Sequence, residues 1–101
     1  MKKLIFLPLA LMVSGFLNAQ TLNENGLYID NEGELFSGTI TKTQNDVKSE
    51  FSVKEGLING VANYYFASGK LMESGIYNNG KKKKKWVRYT ETGSVSAIAF
   101  Y

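Results

Sequence analysis

The sequence predicts an all-β fold in which antiparallel β-hairpins form a curved, single-layer meander sheet. Three observations predict it. Equivalent residues recur every 24 positions, as in Val47, Leu71 and Val95, and a fixed period of this length indicates a repeat architecture. Runs rich in aromatic and β-branched residues end at turn signals, which is typical of hairpins. After residue 19, no segment has a sustained helical period.

Residues 1–19 have the three regions of a secretory signal peptide. Lys2 and Lys3 form a basic start, residues 4–13 are apolar, and residues 14–19 form the small and polar end. The apolar stretch is shorter than the roughly 20 residues that a membrane-spanning helix needs, so we expect cleavage after Ala19. Retention of the segment as an anchor is the alternative. The ending "NAQ" resembles export signals of Bacteroidetes-type bacteria, which implies a periplasmic or secreted protein.

The 82 residues that remain after the first 19 of 101 are enough for one small domain. We expect residues 20–26 to be an N-terminal linker and residues 27–101 to hold about three repeat units. The chain has no cysteine. Its stability must therefore come from packing and strand pairing rather than from disulfide bonds.

The repeat units follow one another along the chain. Residues 27–39, "LYIDNEGELFSGT", look like a partial and irregular first unit. The next segment, "ITKTQNDVKSEFSVKEG", has two strands around the turn "QND", and "VANYYFASGKLMESGIYNNGK" has two around "ASG". The last, "KWVRYTETGSVSAIAFY", turns at "ETG". Asn45, Gly69 and Gly93 occupy equivalent turn positions, where we expect the positive φ that Gly and Asn adopt most readily.

These segments resemble the bacterial variant of the MORN repeat, whose units run approximately as Gly-x-Trp, Tyr-Tyr, x-Asn-Gly-x-Leu and Tyr-x-x-Gly-Lys. The matching positions are Gly60, Tyr64, Tyr65, Gly69, Lys70, Leu71, Tyr77, Asn79, Gly80, Lys81, Trp86, Tyr89 and Gly93. Departures are Ala62 for the expected Trp and Lys84 at the position that Gly60 holds one unit earlier. The resemblance implies a curved antiparallel sheet and a role in protein or membrane association, with no shared enzymatic activity.

Period-two alternation divides the side chains between two faces of the predicted sheet. The inner face receives Phe51, Val53 and Tyr77, and we expect it to be the core side. The outer face is polar in the first full unit and becomes apolar toward the C-terminus. Its candidate partner-binding residues are Met72, Ile76, Ile98 and Phe100. A single-layer sheet cannot bury both faces, so this set is either an interface or is covered by another part of the chain, such as the N-terminal segment.

The run "KKKKKW" dominates the charge of the C-terminal half. Residues 20–60 carry seven acids and three lysines, a net charge of −4, whereas residues 61–101 carry two acids, six lysines and one arginine, a net charge of +5. One interpretation is an exposed, solvated loop between two hairpins. The other is contact with an anionic membrane or lipopolysaccharide surface, with Trp86 entering the interface. The candidate contacts are Lys81, Lys82, Lys83, Lys84, Lys85, Trp86 and Arg88.

Composition narrows the classes of function. The chain has no histidine and no cysteine, so the usual transition-metal ligands and nucleophile–base pairs are missing. We expect no cofactor, no metal site and no enzymatic activity. Glu50, Glu55, Glu73 and Glu91 would serve glycoside chemistry only if two of them converged in a cleft. The basic charge is local rather than spread over a face, so nucleic acid is not an expected partner.

The sequence thus favours a non-enzymatic repeat scaffold of the bacterial envelope that binds an unidentified protein or a second copy of itself. The alternative is a peripheral binder of anionic surfaces through Lys81–Lys85.

Overall fold

A computed structural model describes residues 20–101, and the predicted signal peptide lies outside these residues. The described chain is all-β and contains no helix; its main sheet is a meander of antiparallel hairpins that does not close into a barrel. The predicted fold class is therefore confirmed. The strands are β1 Thr21–Leu22, β2 Tyr28–Ile29, β3 Gly38–Gln44, β4 Val47–Lys54, β5 Leu57–Tyr65, β6 Leu71–Asn78, β7 Lys81–Tyr89 and β8 Val95–Phe100.

Strands β3 to β8 form the main sheet in sequence order, each antiparallel to the next, while β1 and β2 form a separate two-stranded sheet. β3 and β8 are consequently the two edges of the main sheet. Outer-face side chains lie side by side across all six strands: Thr41 pairs with Glu50, and the row continues to Val87 and Ile98 at the other edge.

The meander contains two kinds of turn. Three tight turns have two central residues, both at positive φ: Asn45–Asp46, Glu55–Gly56 and Asn79–Gly80. Positive φ at both positions matches the right-handed twist of the flanking strands, as in type I′ hairpins. Two longer turns, at residues 66–70 and 90–94, contain Gly69 and Gly93, each at φ 93°. The positive φ predicted for Asn45, Gly69 and Gly93 is therefore confirmed.

One irregularity of the backbone repeats with the 24-residue period. The pairing of β4 with β5 shifts between Phe51 and Val53, and that of β6 with β7 shifts between Ser74 and Ile76. In each case the longer strand has a residue at positive φ near the shift, Gly60 at 108° and Lys84 at 62°. Lys84 thus occupies the left-handed conformation that its glycine equivalent adopts without a steric penalty.

The core lies on the inner face, as the alternation predicts. Its buried side chains form one cluster: Ile40, Phe51, Val53, Ala62 and Trp86. Four of them belong to one cross-strand row, Ile40 opposite Phe51, Phe51 opposite Ala62, and Trp86 opposite Ala99 at the edge. The small residues Ala62 and Gly75 lie opposite each other in the middle of this row, between the large side chains of Phe51 and Trp86.

The N-terminal segment packs onto the inner face near β4. The Tyr28 ring lies 5.7 Å from the Phe51 ring, and Phe36 also packs against the core cluster. Two backbone hydrogen bonds connect this segment to the β4–β5 turn: Tyr28 N–H donates to Gly56 O, and Gly56 N–H donates to Phe36 O. A third, from Phe36 N–H to Tyr28 O, lies within the segment. The segment therefore closes the end of the core that the sheet alone leaves open.

Residues 20–26, which we expected to be a linker, instead contain β1 and the turn of a small hairpin. Thr21 pairs with Ile29, and Leu22 pairs with Tyr28. The Asn23 carboxamide oxygen accepts hydrogen bonds from the amides of Asn25 and Leu27, both at 2.9 Å. This local bonding by an asparagine side chain fixes the turn, and the composition of the segment did not reveal it.

The backbone of Lys84 leads to a test with a matched control. We expect Lys84→Gly to stabilise the fold by about 0.5–1 kcal/mol, because glycine relieves the left-handed strain of a lysine. Lys83→Gly removes the same charge from an extended position and should destabilise by a similar amount. Urea unfolding followed by the fluorescence of Trp86 measures both. Equal effects of the two substitutions would contradict this account of the bulge.

Candidate functional site

The lysine run belongs to a strand rather than a loop. Lys81–Lys85 form the first half of β7, and Lys82 and Lys83 pair with Tyr77 and Ile76 of β6. The predicted exposed loop is wrong because the Asn79–Gly80 turn completes the chain reversal before the first lysine. The run begins directly after Gly80, as expected, and its lysines other than the half-buried Lys82 are exposed.

Strand geometry divides the run between the two faces of the sheet. Lys82 lies on the inner face beside Tyr77, whereas Lys83 and Lys85 lie on the outer face opposite Ile76 and Phe100. Lys81, opposite Asn78, also belongs to the outer face. The five ammonium groups therefore do not form one uniform basic surface.

Trp86 is a core residue. Its side chain is 2% exposed and lies flat over Gly75, where a Cβ would overlap the indole ring. The indole N–H donates to the backbone carbonyl of Ile76 at 3.1 Å, and the Tyr77 ring meets the indole edge-on at 5.0 Å between centroids. Insertion of Trp86 into a membrane interface is inconsistent with this burial, so that part of the predicted anionic contact is wrong.

An ionic cluster covers the inner face beside Trp86. The Glu73 carboxylate accepts a hydrogen bond from the Arg88 guanidinium at 3.2 Å and lies 3.7 Å from the Lys82 ammonium. The same ammonium lies 4.6 Å from the centre of the Trp86 ring and 5.4 Å from that of Tyr101. Cation–π attraction and charge pairing act together here. Lys82 and Arg88 are therefore paired with Glu73 within the protein, although the Arg88 side chain is also exposed. The other lysines of the run, Lys81 and Lys83–Lys85, are exposed.

The four predicted partner-binding residues lie on the outer face of β6 and β8. Ile76 is 43% exposed, Ile98 49% and Phe100 75%, while Met72 is half-buried. The structure adds Val61, 52% exposed and opposite Ile76, and Val87, opposite Ile98. We call this surface the outer patch: Val61, Met72, Ile76, Val87, Ile98 and Phe100, with Lys81, Lys83 and Lys85 beside them.

Sequence reasoning missed Val61 and Val87. The signal that could have found them is alternation, since each lies two residues from another outer-face position of its strand. The pairing of Val61 with Ile76 and of Val87 with Ile98 depends on the cross-strand register, which alternation alone does not specify.

The N-terminal segment does not cover the outer patch. Tyr28 and Phe36 pack against Phe51 on the inner face, on the opposite side of the sheet. The expectation that this segment covers the apolar outer face is therefore wrong. Within residues 20–101, the large apolar side chains of the patch other than Met72 and Val87 stay exposed.

Tyr64 is the inner-face residue between the core and the ionic cluster, cross-strand from Glu73. Burial raises the pKa of the Tyr64 phenol above its ordinary value, and the neighbouring Tyr77 hydroxyl and Glu73 carboxylate add to this increase. The phenol is therefore held in its neutral form, and it contributes packing rather than a proton-transfer group at neutral pH.

The grooves on the rest of the described chain are open to solvent. A groove of about 540 Å³ lies between β4 and β5 beside Lys48, Glu50 and Tyr65. In residues 20–101 no three acidic side chains cluster in a way that could hold a metal ion, and no helix there is long and apolar enough to cross a membrane. Glu50 lies on the outer face, and Glu73 lies on the inner face in contact with two cations.

Comparison with known proteins gives no relative from which to transfer a function. The chain matches no protein-family model, and neither the curated proteins nor the solved structures contain a significant match.

The contact between Gly75 and Trp86 predicts a specific loss of stability. Gly75→Ala forces the indole away from its position, and we expect a loss of about 1–3 kcal/mol with a red-shifted Trp86 emission. Urea unfolding and emission spectra measure these effects. Ala99→Ser adds one atom to the same row at its exposed edge and serves as the control. A normal emission spectrum and unchanged stability in Gly75→Ala would contradict the packing described here.

The raised pKa of Tyr64 predicts a pH dependence at the alkaline end. The unfolded chain ionises this phenol from about pH 10, while the folded chain keeps it protonated, so folding stability falls as the pH rises above that value. Tyr64→Phe should reduce the slope of this fall. Urea midpoints measured between pH 9 and pH 11 provide the comparison, and an identical slope in the variant would refute the assignment.

Proposed function

We propose that this chain is a non-enzymatic repeat scaffold that is exported to the bacterial envelope and binds a protein partner through the outer patch. The observation that carries the proposal is the exposure of Val61, Ile76, Ile98 and Phe100 on one continuous face. Contiguous exposed apolar side chains with a polar rim are typical of protein-interaction sites.

The charge of the outer patch favours a partner of defined chemistry. Lys83 and Lys85 lie between Ile76 and Phe100 on the outer face, and Lys81 lies beside them. The only two acids of residues 61–101 lie elsewhere, Glu73 on the inner face and Glu91 in the turn after β7. The matching partner surface is apolar at its centre and acidic at its rim, because opposite charges at a rim orient the encounter.

A non-enzymatic role agrees with the arrangement of the acids. Glu73 is held by Lys82 and Arg88 rather than facing a second carboxylate across a cleft. The resemblance of the repeat units to the MORN variant supports association rather than catalysis as well.

A second candidate is reversible binding to an anionic membrane or lipopolysaccharide surface. It is favoured by the alternation of outer lysines with apolar side chains, which places Lys83, Lys85, Ile76 and Phe100 on one side of the sheet. Each lysine near an anionic membrane contributes about 1 kcal/mol, so three outer lysines give weak, salt-sensitive binding. Phe100, rather than Trp86, is the aromatic side chain available for insertion.

One experiment separates these candidates with defined probes. Fluorescence anisotropy measures binding of the protein to a labelled amphipathic peptide of leucine and glutamate, and sedimentation measures binding to phosphatidylglycerol vesicles. We expect the acidic peptide to bind, and a version with lysine in place of glutamate not to bind. Ile98→Lys should weaken peptide binding at least roughly tenfold, because it replaces an apolar contact of the patch with a charged side chain.

Thr41→Lys is the matched control, since it adds the same charge to the same outer row at the opposite edge. It should leave peptide binding unchanged. Equal binding of both peptides, or an equal loss in the two variants, would overturn the proposed patch. Salt-sensitive binding to vesicles without binding to the acidic peptide would instead support the second candidate function, binding to an anionic membrane or lipopolysaccharide surface.

A further inference from the structure

β8, one edge of the main sheet, differs from ordinary sheet edges. β8 has the sequence "VSAIAF", and all six of its residues are exposed. It contains no lysine, no proline and no other charged residue, which are the features that usually prevent an edge strand from pairing with another chain. A long apolar edge without such protection is a template for a further strand.

The 24-residue repeat indicates which strand would continue the sheet. β5 and β7 occupy equivalent positions, with Ala62 equivalent to Trp86. Twenty-four residues before Ala62 lies Gly38, the first residue of β3. β3 is therefore the first member of the series β3, β5 and β7, and the strand that would follow β8 in this series is another copy of β3.

The same repeat fixes the register of that contact. Ser74 of β6 pairs with Val87 of β7. Ile98 of β8 is equivalent to Ser74, one repeat later. Thr39 of β3 is equivalent to Val87, two repeats earlier. If β3 of another copy lies beside β8, the repeat therefore places Thr39 opposite Ile98. By the same spacing, Ala97 lies opposite Ile40 of that copy.

The free backbone groups agree with this register independently. Lys84 and Tyr101 exchange both backbone hydrogen bonds. Because bonding alternates along an antiparallel pair, Ala97 and Ala99 also bond to β7, and Ile98 directs its N–H and C=O away from the sheet. At the other edge, the two-residue turn after Gln44 makes Gln44 and Val47 a bonded pair, so Thr39 and Thr41 direct theirs outward. The register that the repeat predicts thus places Ile98 opposite Thr39, and each of these residues directs its backbone N–H and C=O groups away from its own sheet.

Charge also favours this contact. The acidic half of the chain, residues 20–60 with a net charge of −4, contains β3, whereas the half with a net charge of +5 contains β8. A head-to-tail arrangement brings opposite charges together, and a symmetric β8–β8 contact would bring the two basic halves together.

We propose that β8 of one molecule pairs antiparallel with β3 of a second copy, in the register that places Ile98 opposite Thr39. The inference rests on the proposed scaffold role and adds a second copy of the chain at the backbone edge of β8, the strand whose Ile98 and Phe100 side chains belong to the outer patch. The contact continues both faces of the sheet across the two molecules. It is heterologous, so it produces an open assembly unless the sheet curves enough to close a ring.

The absence of native cysteine allows a direct test of the register. Equal amounts of Thr39→Cys and Ile98→Cys protein are mixed and oxidised, and the heterodimer is counted by mass spectrometry. In the proposed register the two Cα atoms lie about 5.5 Å apart, within the range of a disulfide. Thr43→Cys is the matched control, an exposed threonine of β3 on the same face but about 13 Å farther along the strand. We expect at least roughly tenfold more heterodimer with Thr39→Cys than with Thr43→Cys.

Sedimentation velocity of the unmodified protein provides the second measurement. The mass should increase with concentration, and Thr41→Pro should reduce it, because proline removes an outward N–H that β4 does not use. The emission of Trp86 checks that this variant is folded. Equal heterodimer yields for the two threonines, a predominance of Ile98→Cys homodimers, or a monomer at every concentration would overturn the proposal. A monomer that still binds the acidic peptide would overturn edge pairing alone and leave the outer patch as a binding site.

Discussion

The packing of the Trp86 indole on Gly75 is the contact on which the rest of the sheet depends. A single-layer sheet has one inner face to bury, and few side chains of this chain are buried within it. The bare backbone of Gly75 lets the largest side chain lie flat against β6, and the indole N–H bonds to the carbonyl of Ile76. Lys82 and Tyr77 then close over the ring. The core is thus formed by a few large side chains on one face of the sheet rather than by a second layer.

Because the sheet buries few side chains, much of its surface is available for association. The N-terminal hairpin closes the inner face near Phe51, but the opposite edge ends at β8, whose residues are all exposed. The outer face has no second layer within residues 20–101, and its apolar side chains increase in number toward that edge. A small single-layer sheet buries one face and leaves the other exposed. The function we propose follows from this limit, because the exposed face can bind a partner.

The lysine run illustrates how strand geometry gives adjacent, identical residues different roles. Lys82 stabilises the core through Trp86 and Glu73, and Lys84 adopts the left-handed conformation at the bulge. Lys83 and Lys85 border the apolar outer patch. Replacing all five together would change folding and binding at once, so individual substitutions are needed to separate the two. The run is neither a uniform basic surface nor a passive turn.

The sequence by itself determined the repeat period, the hairpin turns and the division of each strand into two faces. These features depend on residues that are near neighbours: a turn needs two residues with positive φ, and alternation needs only positions i and i+2. The tertiary structure alone decided that Lys82 and Arg88 meet Glu73, that Val61 and Val87 complete the outer patch, and that Tyr28 and Phe36 pack on the inner face. Each of these contacts joins separate parts of the chain, and four register shifts displace the cross-strand partners from simple pairing. Local pattern cannot specify such contacts, because a shift in register changes every partner while leaving the alternation intact.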